Sequence, residues 1–289
     1  MVGTLTRVGD ISTREVIVAS ERHYAWNTPM AAIAFVVSAA SDRGLVREVN
    51  EDSFVALPPV FLVADGMGGH AFGDRASQAI ARTLEDRLVS DTLPTVETVL
   101  AAVRDADGVV QQIGDDEMAG STLAGIALVG DDSGPAWMAF NIGDSRVYRY
   151  DGSLHQLSVD HSAVQELVDD GVIEAHEAAT HPERNVVTRA IGVGDEASPD
   201  VWLLPFGGDE FFLVCSDGLT KEVDDASIAE ILSFPDDESS PADRLINAAL
   251  AAGGIDNVTA VVVRITVLPV SEGAPMSVPA HLEETLPRP

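Results

Sequence analysis

Val60-Phe61-Leu62-Val63-Ala64-Asp65-Gly66-Met67-Gly68-Gly69-His70 is the stretch around which the chain is organised. An unbroken apolar run delivers one carboxylate into a glycine-rich loop, and a helical pattern follows at once. Asp65 therefore belongs at the end of a buried strand, held firmly but facing an opening. Glycines there permit positive φ and close backbone approach. A carboxylate beside an accessible carbonyl suits a hard divalent cation. An ordinary Asp-Gly turn between strand and helix has the same local pattern, so this stretch alone leaves both readings open.

Working outward, the apolar segments read as strands at Ala32–Ala40, Phe54–Leu57, Val60–Ala64, Gly120–Val129, Ala136–Ile142, Arg146–Tyr150, Val201–Leu204, Glu210–Cys215 and Val258–Val267. A further strand is expected at Glu15–Ala19. Ala76, Ala79, Ile80, Leu84 and Leu88 recur at three- and four-residue spacing, which predicts an amphipathic helix over Gly73–Val89. A second helix follows Pro94, with Asp107-Gly108 expected to weaken or end it. Shorter helices are expected at Ala163–Val168, Ala226–Leu232 and Pro241–Ala252. Turn signals at Asp131–Gly134 and Asp151-Gly152 join neighbouring strands. Strand pairs on tight turns, with helices grouped in sequence, indicate antiparallel sheets flanked by helices rather than a βαβ array.

Composition narrows the function. The chain has 289 residues and a formal net charge of −30, and Lys221 is its only lysine. Such a surface repels nucleic acid and anionic membranes, so neither is an expected partner. Any phosphate site must be a local positive spot made by metal or arginine. Cys215 is alone, which excludes an internal disulfide and reads as a small buried core residue. The first 20 residues are mixed and charged, without a secretory pattern. The apolar stretch Pro29–Ala40 is too short to span a bilayer. A soluble, cytoplasmic protein is expected.

The pattern of the opening stretch then repeats. Asp144 in Asn141-Ile142-Gly143-Asp144-Ser145-Arg146, Asp217 in Ser216-Asp217-Gly218, and Asp256-Asn257 before Val258 all stand at the ends of apolar runs. Asn50-Glu51-Asp52 adds an acidic element beside another strand. Each is an ordinary turn by itself. Carboxylates converging at one sheet edge repel unless cations hold them together. An all-oxygen donor set without paired Cys or a His-x-x-x-His spacing favours Mg²⁺ or Mn²⁺ over Zn²⁺. Two such ions, roughly 3.5–4 Å apart in two-metal hydrolases, would acidify a water and hold a phosphate ester in line. Arg47, three residues before Asn50, is the candidate phosphate-binding cation; a surface arginine paired with a carboxylate is the other reading.

Six segments, in order, now resemble the type 2C metal-dependent Ser/Thr protein phosphatases, in a bacterial form. They are Gly44-Leu45-Val46-Arg47-Glu48-Val49-Asn50-Glu51-Asp52-Ser53, Asp65-Gly66-Met67-Gly68-Gly69-His70, Gly120-Ser121-Thr122, Asn141–Arg146, Ser216-Asp217-Gly218-Leu219 and Asp256-Asn257-Val258-Thr259. The resemblance runs from about Ala32 to Val267. It implies an α+β fold, a four-layer α-β-β-α sandwich of two antiparallel sheets, with a dinuclear Mn²⁺ or Mg²⁺ site at one end. By it, Asp65 would bridge the ions, the Gly66 carbonyl would ligate one, and Asp217 and Asp256 the other. Glu51 would act through a water. Asp144, with Asp217, would match a third ion of bacterial members, and Arg47 would bind the substrate phosphate. The activity implied is hydrolysis of phosphoserine and phosphothreonine in proteins by a metal-bridging hydroxide. Phosphorylated proteins are the implied partners, a Ser/Thr kinase or its targets among them, and a monomer is expected.

Met67 stands where some members of that family have a histidine, which leaves the general acid unassigned. His161 opens the implied flap, residues 160–194, and is the candidate; a hydrogen-bonded structural histidine is its other reading. Residues 1–28 are read as an extension, 29–267 as the catalytic domain and 268–289 as a disordered tail. Two other functions compete: a catalytically silent relative acting as a binding module, and a hydrolase of other phosphate esters, which the negative charge disfavours for polyanions.

Overall fold

A computed structural model describes residues 19–27, 32–67, 72–90, 92–113, 119–131, 134–194, 197–207, 209–233 and 239–268. The strands are β1 (Ala19–Asn27), β2 (Ala32–Asp42), β3 (Asp52–Leu57), β4 (Val60–Met67), β5 (Gly120–Ser121), β6 (Leu123–Asp131), β7 (Gly134–Ile142), β8 (Arg146–Tyr150), β9 (Leu154–Gln156), β10 (Asp200–Pro205), β11 (Glu210–Cys215) and β12 (Val258–Leu268). The helices are α1 (Gly73–Leu88), α2 (Val96–Val110), α3 (Ala163–Asp169), α4 (Ala175–Ala178), α5 (Asp217–Thr220), α6 (Asp225–Ser233) and α7 (Pro241–Ala252). One sheet has the order β1-β2-β12-β11-β8-β9, the other β10-β7-β6-β4-β3, with β5 added to β4. Every pairing is antiparallel.

Burial explains why the strands are apolar on both faces. In β4, Phe61 and Val63 face the other sheet and pack with Phe35, Ile126, Trp137, Phe212 and Val263. Val60, Leu62 and Ala64 face the other way, onto Ile80 and Leu84 of α1 and Val99 and Val103 of α2. In β12, Val261, Val263 and Ile265 lie between the sheets, while Val258, Ala260 and Val262 meet α6 and α7 through Ile228, Leu245 and Ala249. Sheets two-sided in this way read as continuous apolar runs rather than alternation. The result is helix, sheet, sheet, helix: the expected α+β sandwich.

Three local differences have physical causes. The strand expected at Glu15–Ala19 lies, except for Ala19, outside the described residues; β1 runs from Ala19 and pairs with β2 from Asn27↔Ala32 back to Ala19↔Ala39. The helix after Pro94 does not stop at Asp107-Gly108 but continues to Val110. Buried Asp107 turns its carboxylate outward from the helix, to accept from Gly192 N–H (2.7 Å), Ala197 N–H (3.2 Å) and the Gln111 amide (3.0 Å). The segment read as one strand over Gly120–Val129 is interrupted at Thr122, whose side chain turns to the site. Cys215 is buried as expected, and burial pushes its thiol up to about 12, so it is not a thiolate at neutral pH. Among the described residues, no helix is long and apolar enough to cross a membrane.

Candidate active site

The acidic segments converge at one end of the double sheet. Asp65, inside β4, stands directly across from Asp52 of β3. Its backbone is clamped from β5: Asp65 N–H donates to Thr122 Oγ1 (3.1 Å), and Asp65 C=O accepts from Thr122 N–H (2.9 Å) and Ser121 Oγ (2.9 Å). Thr122 Oγ1 in turn shares a 2.7 Å hydrogen bond with Ser145 Oγ, beside Asp144. The turn carrying Asp144 needs Gly143, at φ +102°, where a side chain would be strained and would strike Thr122.

Gly66 has a different reason to be glycine. It is not among the positive-φ residues; a Cβ there would lie 2.1 Å from Gly73 O, at the start of α1, and 2.7 Å from Glu51 O. Close packing of its own chain is therefore what the structure requires at Gly66. Gly68, Gly69 and His70 lie outside the described residues.

Asp52, which carried no assigned role in the sequence, ties the sheets together. Its Oδ2 accepts from Ser216 Oγ (2.8 Å) and Thr259 Oγ1 (2.7 Å), and Ser216 Oγ accepts from Thr259 N–H (2.9 Å). Asp217 and Asp256 thereby arrive next to Asp65. Asn257 does the same for the loop bearing Arg47. Its Oδ1 accepts from Glu51 N–H, and its Nδ2 donates to Arg43 O and Val49 O, each at 2.9 Å.

Mutual repulsion marks the cluster. Burial, then the charges of Asp52, Asp217, Asp144 and Asp256, hold the Asp65 carboxyl well above the usual carboxylate range. Burial and Asp217 push Asp144 up to about 8, against the pull of Lys221. Burial pushes Asp52 up to about 7, against the hydrogen bonds from Thr259 and Ser216. Burial also raises Glu51, with Arg47 opposing. Lys221 Nζ is ion-paired with Asp217 Oδ2 and stands 3.8 Å from Asp256 Oδ2. Burial alone would lower the Lys221 pKa; the surrounding carboxylates, Asp217 first, outweigh it and raise it. Arg47, half-exposed, pairs with Asp256 at 2.9 Å, so in this structure it takes the carboxylate-paired position, at the mouth of the cluster.

Divalent ions fit this donor set in chemistry. Among the described residues, Asp52 Oδ1, Asp144 Oδ1 and Asp217 Oδ1 are buried without a hydrogen-bond partner, which is costly unless a cation satisfies them. Carboxylate oxygens are hard donors suited to Mn²⁺ or Mg²⁺. The side chains are not drawn in around a single point: among the described residues, no three His, Cys, Asp or Glu groups enclose an ion position.

A family model described as protein phosphatase 2C matches residues 47–251. This chain belongs to the protein phosphatase 2C family. The serine/threonine protein phosphatase PstP of Mycobacterium tuberculosis is 41% identical over 241 residues, which cover 81% of this chain and 46% of that protein. The chain thus spans about half the length of the first curated relatives it matches. The serine/threonine phosphatase stp of Listeria innocua is 35% identical over 77% of this chain and 93% of its own. Among solved structures, the catalytic domain of PstP in complex with two manganese ions is similar at a TM-score of 0.71 and 36% identity, over 81% of this chain and 99% of that one.

His161 is buried. Its Nδ1 accepts from Gly143 N–H (3.0 Å), which leaves the ring proton on Nε2, directed at Asp200 Oδ2 (3.2 Å). Arg189 Nη1 donates to Asp200 Oδ1 at 2.9 Å and lies 2.7 Å from the same Nε2, where it competes with Asp200 for that ring nitrogen. Burial lowers the His161 pKa. Both ring nitrogens are thus engaged, and the His161 main chain bonds Gly143 O (2.9 Å) as well. The geometry is that of a hydrogen-bonded structural histidine, fastening the 160–194 segment to the turn that carries Asp144. At its far end, that segment is fastened by Ser121–Ile191 backbone bonds and by Asp107.

Proposed function

We propose that the chain is a metal-dependent protein phosphatase acting on phosphoserine and phosphothreonine in proteins. The observation that carries this is the meeting of Asp65, Asp144, Asp217 and Asp256 at one end of the double sheet, with half-exposed Arg47 at the edge. Bound Mn²⁺ or Mg²⁺ would supply Lewis-acid polarisation of phosphoryl oxygens and an acidified water. Asp65, the Gly66 carbonyl, Asp217 and Asp256 are the residues that would hold the ions, with Glu51 acting through water. Arg47 would leave Asp256 to bind the phosphate, its planar fork suiting two phosphoryl oxygens. Asp52, Ser216 and Thr259 would keep the acidic ends of both sheets in register, and Asn257 would hold the Arg47 loop.

His161 is assigned a positioning role, holding Gly143 and hence Asp144. The general acid is left unassigned. The partners are phosphorylated proteins, a Ser/Thr kinase or its targets in particular. The test is hydrolysis of phosphoserine, phosphothreonine and phosphotyrosine peptides and of nucleotides, with Mn²⁺ and with chelator. Mn²⁺-dependent turnover of the first two supports the reading. No turnover of any substrate favours a binding module, and preference for nucleotides favours another phosphate ester.

A further inference from the structure

Leu45, Val46, Val49 and Ile255 are 68%, 64%, 54% and 61% exposed, in a protein whose other large aliphatic side chains mostly lie in its cores. They are not scattered. Leu45, Val46 and Val49 flank Arg47 on the loop between β2 and β3, and Ile255 adjoins Asp256 on the loop between α7 and β12. The two loops are joined backbone to backbone. Leu45 N–H donates to Gly254 O at 2.7 Å. Gly44, at φ +76°, lies so close that a Cβ on it would stand 2.2 Å from Asp256 O. Arg47 adds a side-chain link by pairing with Asp256. The cation read as phosphate-binding thus stands among exposed aliphatic side chains, at the mouth of the acidic cluster.

Single exposed hydrophobics need no explanation, whereas a group of them rimmed by polar residues marks a surface that something covers. Here the neighbour says what. A substrate that brings its phosphate to Arg47 brings the atoms attached to it beside this group. An extended peptide advances about 3.3–3.6 Å per residue, so side chains within three positions of a phosphoresidue are in reach of it. Charge agrees. Arg43 to Val49 holds two arginines and one glutamate, in a chain of net charge −30. A phosphorylated segment is attracted to this loop while most of the surface repels it.

We infer that Leu45, Val46, Val49 and Ile255 form a docking surface for the substrate segment that carries the phosphoresidue, and that they select segments with a bulky aliphatic residue within three positions of it. The inference rests on the reading of Arg47 and the acidic cluster as a protein phosphatase site. The four side chains touch no reacting atom; they bind the flanking residue by removing its apolar surface from water.

The experiment uses the 289-residue chain, Leu45→Ser, Ile255→Ser and the double variant, all with Mn²⁺. Each is assayed on phosphothreonine peptides bearing either leucine or alanine at each position from three before to three after the phosphoresidue, and on a small aryl phosphate. The parent should favour leucine at one or more positions, by roughly 3- to 30-fold in kcat/KM, the effect of burying part of a leucine side chain. The double variant should lose most of that preference, with aryl-phosphate turnover and the circular dichroism spectrum unchanged. A parent that hydrolyses every peptide equally well, or a preference that survives in the double variant, overturns the inference and leaves the phosphatase reading intact. Equal losses on peptide and aryl phosphate also overturn it, since the side chains would then serve to place Arg47. So does a change of sedimentation coefficient with unchanged peptide preference, which assigns the surface to a second copy of this chain. A parent that hydrolyses no phosphopeptide overturns the phosphatase reading and the inference with it.

Discussion

Asn257→Ala tests how the loop bearing Arg47 is held. The Asn257 side chain makes three hydrogen bonds, each at 2.9 Å, to Glu51 N–H, Arg43 O and Val49 O. It is 4% exposed, whereas Leu45 and Val46 of the loop it holds are 68% and 64% exposed. Little apolar burial secures that loop, so hydrogen bonds must. Each is worth about 1 kcal/mol net, and water can reach part of what is left behind, giving a loss of about 3 kcal/mol. For a domain of this size, a loss of 1 kcal/mol moves Tm by roughly 2–4 °C, so a fall of roughly 6–12 °C is expected. Calorimetry in chelator measures it. Arg47 rides on the same loop, so at a temperature where the variant is folded, KM for a phosphopeptide should rise more than kcat falls. Asn257→Asp keeps the acceptor for Glu51 N–H but loses both donated bonds and adds a carboxylate beside Asp256; it should be no more stable than the alanine variant. A Tm within 2 °C of the parent, or an unchanged KM in a clearly destabilised variant, would refute the reasoning.

Further outcomes are expected elsewhere in the site. Asp217→Asn should abolish Mn²⁺-dependent hydrolysis with an unchanged circular dichroism spectrum; near-normal turnover at limiting Mn²⁺ would remove Asp217 from the metal set. Gly66→Ala should cost several kcal/mol, because its Cβ would sit 2.1 Å from Gly73 O, a backbone atom that cannot step aside; urea unfolding measures it, and a loss under about 1 kcal/mol would show that α1 can shift. His161 has a pKa lowered by burial from 6.5, so the folded state resists its protonation. Its contribution to stability is full above the unfolded value near 6.5 and is lost as pH falls toward the lower folded value. The parent should therefore lose more stability than His161→Gln between pH 7.5 and 5.5, and parallel pH profiles would count against a buried neutral ring. The same variant should lower turnover of phosphoserine peptide and of an aryl phosphate by similar factors, since a positioning residue does not protonate the leaving group; a selective loss on the peptide would restore the acid role.

Much of the fold is legible in the sequence because its causes are local. Val60–Ala64 of β4 and Ala260–Val263 of β12 are unbroken apolar runs because both faces are covered there, and α1 repeats at helical spacing because one face is. The Asp residues at strand ends stand out for the same reason: each is the first polar group after a buried run, next to a turn former. Their order along the chain is enough to place it in its family. What the sequence does not carry is which groups meet. Asp52 looked like one more acidic turn residue until Ser216 and Thr259, more than 160 positions away, closed on it. Asp107-Gly108 reads as a helix stop, but its carboxylate serves a loop 85 residues later. His161 resembles a catalytic acid by position; only the fold puts the Gly143 amide on one ring nitrogen and Asp200 on the other. Lys221 could have been noticed, as the only lysine four residues past Asp217, yet its three carboxylate neighbours come from three separate segments. Local pattern determined the strands, the helices and the acidic tips. Only the packing of the two sheets decided which tips face one another, because hydrogen bonds and charge act through space over a few ångströms, whatever the distance along the chain.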